Sequence, residues 1–359
     1  MKRSMFAVML MLAVAVHPAR AADPPVGTTT IFARVGAPGM PEGIAVRDGI
    51  VYVGTHVSIA GNQGGPASKI FTFDLATGAA LGEITVQGQD LSVTHGILAM
   101  AFDAAGVLYV VDRNPGRIVR IDPASGAQTV YATIPNLPAC RPVVGPQVDC
   151  SPTVLDSATF ADYLAFDADG TAYVTDLEAA TIFRVPPGGG PAQIWYQDAV
   201  FDGLFGLNGI AVDPSGTHLY FAMTGSQQPG SPAQGVIYTL PIVDSLAPAD
   251  LRVFHTLLQP AAGADGIAFG ASGKLYVALA GANQVAILNP DGSEAAIFPD
   301  PIANQLQEIP YDLPASIAFD GQGSILVTNQ SFFAADSDHW AVFRAWVGDT
   351  ALSLIEPVL

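Results

Sequence analysis

Short apolar runs alternate with turn residues along nearly the whole chain. Three stretches show the frame most clearly: "PEGIAVRDGIVYVGTH" at 41–56, "LNGIAVDPSGTHLYFAM" at 207–223 and "ADGIAFGASGKLYVALA" at 264–280. Each is a β-rich run, a Gly-containing turn, and a second run ending in Leu/Val-Tyr-Val/Phe, the signature of a hairpin. The Ala of the "I-A-V/F" frame recurs at Ala45, Ala101, Ala165, Ala211, Ala268 and Ala318, at intervals of 46 to 64 residues. A third and a fourth β-rich segment follow each hairpin, as in "RIVRIDPASG" and "QTVYATIP". Six units of four antiparallel strands predict an all-β chain folded as a six-bladed β-propeller.

One strand is left over. "TTTIFARV" at 28–35 either joins the last blade or lies outside "ALSLIEPV", the expected fourth strand of blade six. The loops after the second strands are long, for example "HVSIAGNQGGPASK" and "TGSQQPGSPAQ", and are expected to wall a pocket on the face where the first strands begin.

The apolar frame is constant, but the residue three before each anchor Ala is not. Those positions hold Glu42, Leu98, Asp162, Asn208, Asp265 and Ala315. First strands line the axis of a propeller, so these six side chains should form one ring at the channel mouth. Four of them carry carboxylate or amide oxygens, and no Lys or Arg occurs at this register. Three carboxylates without a counter-charge repel one another. A divalent cation resolves this, and Ca2+ suits all-oxygen ligands from separate blades better than zinc, although another divalent cation is possible. Asn-Gly and Asp-Gly are also turn formers, which accounts for Asn208 and Asp265 but poorly for Asp162 and Glu42.

Charge and targeting narrow the context. The formal net charge is −18, which repels nucleic acid and anionic membrane surfaces. Residues 1–21 read as a signal peptide: Lys2 and Arg3, an apolar run from Met5 to Val16, and Ala19-Arg20-Ala21 before the cut. Residues 22–359 are then expected to form one propeller domain, periplasmic or secreted, with no membrane span and a monomeric closed ring. In such a compartment the two cysteines, Cys140 and Cys150, are expected to form a disulfide across a Pro/Gly-rich loop. No G-x-S-x-G elbow, phosphate loop or dinucleotide fingerprint occurs.

The quartet in "PEGIAV", "FADYLAFDADG", "LNGIAVDPSG" and "ADGIAFGASGKLYVA" resembles the senescence marker protein/gluconolactonase/luciferin-regenerating enzyme family, and more distantly the paraoxonases. The resemblance implies a metal on the axis held by Glu42, Asp162, Asn208 and Asp265. Asp162 stands where that family usually has Asn. It also implies hydrolysis of a lactone or related ester as small-molecule substrate, with Asp265 as the catalytic base. His56, His95, Asn329 and Phe332 are expected on the pocket face as substrate contacts. His218 and His255 are expected to be structural, while Asp112 and Asp176 either face the pocket or cap loops. A metal-free ligand- or protein-binding propeller, and a propeller enzyme of other chemistry such as a strictosidine-synthase-like enzyme or a lyase, are the alternatives.

Overall fold

A computed structural model describes residues 22–57, 64–140, 149–154, 157–203, 205–226, 234–259, 261–352 and 355–359. The leader expected over 1–21, and much of the two long loops quoted above, lie outside the described residues. The described chain is nearly all β, arranged as six antiparallel sheets. Blade one comprises Pro41–Arg47, Ile50–Thr55, Lys69–Asp74 and Ala80–Thr85. The first strands of blades two to six are Ile97–Phe102, Ala161–Phe166, Phe205–Val212, Ala264–Phe269 and Pro314–Phe319. Each packs against the first strands of both neighbouring blades, and blade one against blade six, so the ring closes.

The leftover strand closes it. Thr29–Arg34 is the outer strand of blade six and pairs antiparallel with Ala341–Trp346. The described residues of "ALSLIEPV", 351–352 and 355–358, form no fourth strand there. Ala351 makes a single bridge to Gly270, and Pro357 lacks the N–H a ladder needs. Sealing a ring with the two ends of one chain ties the blades into one cycle.

The repeated frame is explained by what its residues touch. In four of the six blades the Tyr of the second strand meets the Phe that ends the next blade's first strand. Tyr52–Phe102, Tyr109–Phe166, Tyr220–Phe269 and Tyr276–Phe319 are edge-to-face pairs with ring centroids 5.1–5.3 Å apart. Such pairs add about 0.5–1.5 kcal/mol each beyond the area they bury. The turn aspartates close the hairpins: Asp103, Asp167, Asp213 and Asp320 each accept, at 2.8–3.0 Å, the N–H four residues on. The frame is therefore scaffold, and the variable position before it is free for chemistry.

Cys140 and Cys150 are joined, as expected. The bridge is backed by hydrogen bonds from Cys140 N to Ser151 O (2.7 Å) and from Gln197 Nε2 to Cys150 O (2.9 Å).

Candidate functional site

Every ring position coincides with a break in strand register. Pairing of first with second strands skips Glu42-Gly43, Asp162-Tyr163, Asn208-Gly209, Asp265-Gly266 and Ala315-Ser316, and in blade two Leu98. A bulge of this kind bends the strand and re-aims its side chains. The glycines have a packing role besides. A Cβ on Gly209 would lie 2.5 Å from Asp265 O, and one on Gly266 would lie 2.5 Å from Ala315 O. Glycine is needed so that the next blade's backbone can approach, and the Asn-Gly and Asp-Gly pairs belong to the ring rather than to hairpin turns.

Threonines clasp the ring between blades. Thr175 Oγ1 accepts from Tyr163 N (3.1 Å) and donates to Asn208 O (2.7 Å). Thr328 Oγ1 accepts from Ser316 N (2.8 Å) and donates to Glu42 O (2.9 Å). Thr224 Oγ1 donates to Ala264 O (2.7 Å) and takes the Asn208 amide N–H (3.2 Å). That last contact orients the Asn208 amide and leaves its oxygen for the ring.

Glu42, Asp162, Asn208 and Asp265 are all buried. Asp162 Oδ1 and Asn208 Oδ1 are buried acceptors with no hydrogen bond from the described residues. Burial, then repulsion from Asp162 and Asp265, holds the Glu42 carboxyl well above the usual carboxylate range. Burial, then Asp265 and Asp176, does the same to Asp162. Burial pushes Asp265 up to about 8, against hydrogen bonds from the Tyr163 hydroxyl and the Gly266 N–H. These carboxylates feel one another across the channel.

Two orphaned buried oxygens and three mutually repelling acids suit a hard cation. As the side chains stand, however, no three His, Cys, Asp or Glu residues among the described residues converge into a closed metal-binding group. The donors present are all oxygen, the ligand type of a hard divalent cation.

The expectation that the acids lack a counter-charge is corrected by Arg113. It follows the second strand of blade two, Leu108–Asp112, and its charge acts on Glu42 and Asp162. Its guanidinium stacks 3.6 Å from the Phe160 ring centroid, and Nη1 donates to His56 Nε2 at 3.2 Å. The ring register could not reveal it, because it comes from a loop. Its place directly after a second strand, on the pocket face, was the available signal. Tyr163 was also missed as a contributor. Its hydroxyl, with one proton to give, lies 3.3 Å from both Asp265 Oδ1 and Ala315 O as possible acceptors and 2.5 Å from Ser316 Oγ.

The other expected residues divide. His56 is fully buried at the mouth. Burial, then the charges of Arg113 and His95, keeps it neutral well below the usual histidine range. With Nε2 accepting from Arg113, its proton sits on Nδ1, which has no partner among the described residues. Phe332 lies 6.0 Å from His56, ring to ring. His95 instead turns both nitrogens to carbonyls, Nδ1 to Val93 O (2.8 Å) and Nε2 to Pro66 O (2.9 Å). Asn329 spends its amide on Asp312 N (2.7 Å), Pro310 O (3.1 Å) and His339 O (2.9 Å). Both therefore anchor loops around the mouth. Asp112 binds Arg117 and Gln89, and Asp176 takes four donors from residues 159–179, so both are loop caps.

Comparison with known proteins agrees with this architecture. The family model described as SMP-30/Gluconolactonase/LRE-like region matches residues 156–331, a similarity that the ring motifs also suggested. No curated protein matches the chain. Regucalcin from Agrobacterium tumefaciens, described as a calcium-binding protein, superposes with a TM-score of 0.59 at 17% identity, over 90% of this chain and 97% of that one. A gluconolactonase from Xanthomonas campestris gives 0.56 at 17%, over 92% and 99%. Virginiamycin B lyase from Staphylococcus aureus gives 0.54 at 15%, over 89% and 99%. At these identities the likeness establishes the propeller fold. No helix among the described residues is long and apolar enough to cross a membrane.

Proposed function

We propose that this protein is a calcium-dependent hydrolase of lactones or related esters. The observation that carries the reading is the ring of Glu42, Asp162, Asn208 and Asp265, buried, mutually repelling, and holding two oxygens without partners among the described residues. These four would hold the cation together with water. When bound, it would polarise a carbonyl oxygen and favour the ionised forms of the carboxylates around it.

The chain's own groups supply the rest. Asp265, steadied by Tyr163, takes a proton from the attacking water as the oxygen bonds to the carbonyl carbon. It returns that proton to the ring oxygen when the C–O bond breaks, leaving a hydroxy acid. Arg113, fixed by Phe160 and His56, adds a positive charge beside the developing oxyanion. The buried blades around the mouth limit access of bulk water to these groups.

The same reading takes residues 1–21 as a cleaved leader and 22–359 as one domain, exported to the periplasm or beyond as a monomer. The disulfide and the acidic balance support it. The likeness to a lyase makes elimination the competing chemistry. Product mass separates the two, since hydrolysis adds one water and elimination adds none. The test is a panel of lactones assayed with calcium or chelator. Turnover that needs calcium and falls at least about a hundredfold in Asp265→Asn supports hydrolysis. Turnover indifferent to both overturns it.

A further inference from the structure

Two of the six ring positions carry no oxygen, and one of them begins an apolar wall. Leu98 is fully buried and packs with Phe160 and Leu177, with Phe205 against them. Phe205 continues edge-to-face to Phe332 (6.4 Å) and Phe333 (6.1 Å). Leu98, Phe160 and Leu177 are buried and form the backing, whereas Phe205 and Phe332 are half-buried and Phe333 is 69% exposed, so the accessible apolar wall is made by the phenylalanines near the rim. Arg113 lies on this wall, against Phe160. Only its Nη1 is committed, to His56, among the described residues.

This combination selects a ligand. The phenylalanine faces offer no partner for hydroxyl groups, so a polyhydroxylated ring laid on them would lose hydrogen bonds to water without replacement there. An aryl or alkyl group would gain by leaving water and by stacking on the phenylalanines. Glu42, Asp162, Asp176 and Glu178 surround Arg113, which disfavours an anion. The free donors of the guanidinium then suit a neutral acyl oxygen.

We propose that Arg113 and the wall of Phe205 and Phe332, backed by Leu98 and Phe160, form the acyl-binding subsite, and that it takes a neutral lactone or ester bearing an aryl or alkyl substituent rather than a sugar lactone. The inference rests on the hydrolase reading for the reaction but not for the binding.

Lactams resist turnover and test the subsite alone. Dihydroquinolinone, the lactam of an aryl lactone, and gluconolactam are titrated calorimetrically into the full chain. Dihydroquinolinone should bind roughly tenfold or more tighter, and Phe332→Ala and Arg113→Lys should each weaken it roughly five- to tenfold. Phe332 sits on a surface loop, so its variant should fold even where Arg113→Lys does not. Equal or tighter binding of gluconolactam, no binding of dihydroquinolinone, or affinity unmoved by Phe332→Ala overturns the proposal. Lactam binding without turnover of any lactone keeps the subsite and removes the hydrolase reading.

Discussion

The Tyr163 hydroxyl, on blade three, lies 3.3 Å from Oδ1 of Asp265, on blade five. Three other blades have glycine at the position of Tyr163: Gly43, Gly209 and Gly266. Here the side chain crosses the channel and ties the ring together below its mouth. Tyr163→Phe removes the donor, so the Asp265 carboxylate loses a bond that stabilises its charged form. Its pKa should move further above about 8, and the metal-free protein should lose about 1–2 kcal/mol of stability above that pH, where Asp265 is ionised. Denaturant unfolding in chelator across a pH series measures both.

The ring carboxylates have folded-state pKa values raised above their unfolded values, near 4 for free Asp and Glu. Between those values the folded state holds more protons than the unfolded one. Their contribution is thus fully present below about pH 4 and is lost as pH rises through about 8, where Asp265 ionises. In chelator, the melting temperature should fall from pH 6 to 9, and calcium should restore more of it at pH 8 than at pH 6. Asp265→Asn should flatten the slope. A flat profile in the unmodified protein would contradict this.

Asp162 stands where an amide would relieve repulsion. Asp162→Asn keeps the shape and removes one buried charge. The metal-free protein should gain stability at pH 8, because a buried carboxyl that resists ionisation is replaced by a neutral amide, while calcium affinity falls. Opposite movement of stability and affinity is the readout.

The glycines beside the ring should be far less tolerant than those in outer turns. Gly209→Ala forces a Cβ to 2.5 Å from Asp265 O and should cost at least about 1–3 kcal/mol, the range for overpacking. Gly216 has φ +73° and nothing within 4 Å of a built Cβ, so Gly216→Ala should cost only about 1 kcal/mol for its left-handed backbone. Thermal melts of the two variants decide it.

Much of this was legible because the repeat is periodic. The six anchor alanines each fall in a first strand, and all six ring positions fall at the register breaks. What failed depends on long-range pairing or side-chain direction. Thr29–Arg34 and "ALSLIEPV" both have strand-like patterns, and only closure of the ring chooses between them. His95 and Asn329 were expected as substrate contacts. Nearby backbone groups capture their polar atoms, which no spacing rule foretells. Arg113 escaped notice because its loop position has no counterpart in the ring register.

The central claim is that the ring holds a cation, and a calcium titration of chelator-treated protein tests it most directly. The account predicts about one calcium per chain, with affinity lowered at least about a hundredfold in Glu42→Gln and in Asn208→Ala. No binding at millimolar calcium, or binding that both variants leave unchanged, would contradict it.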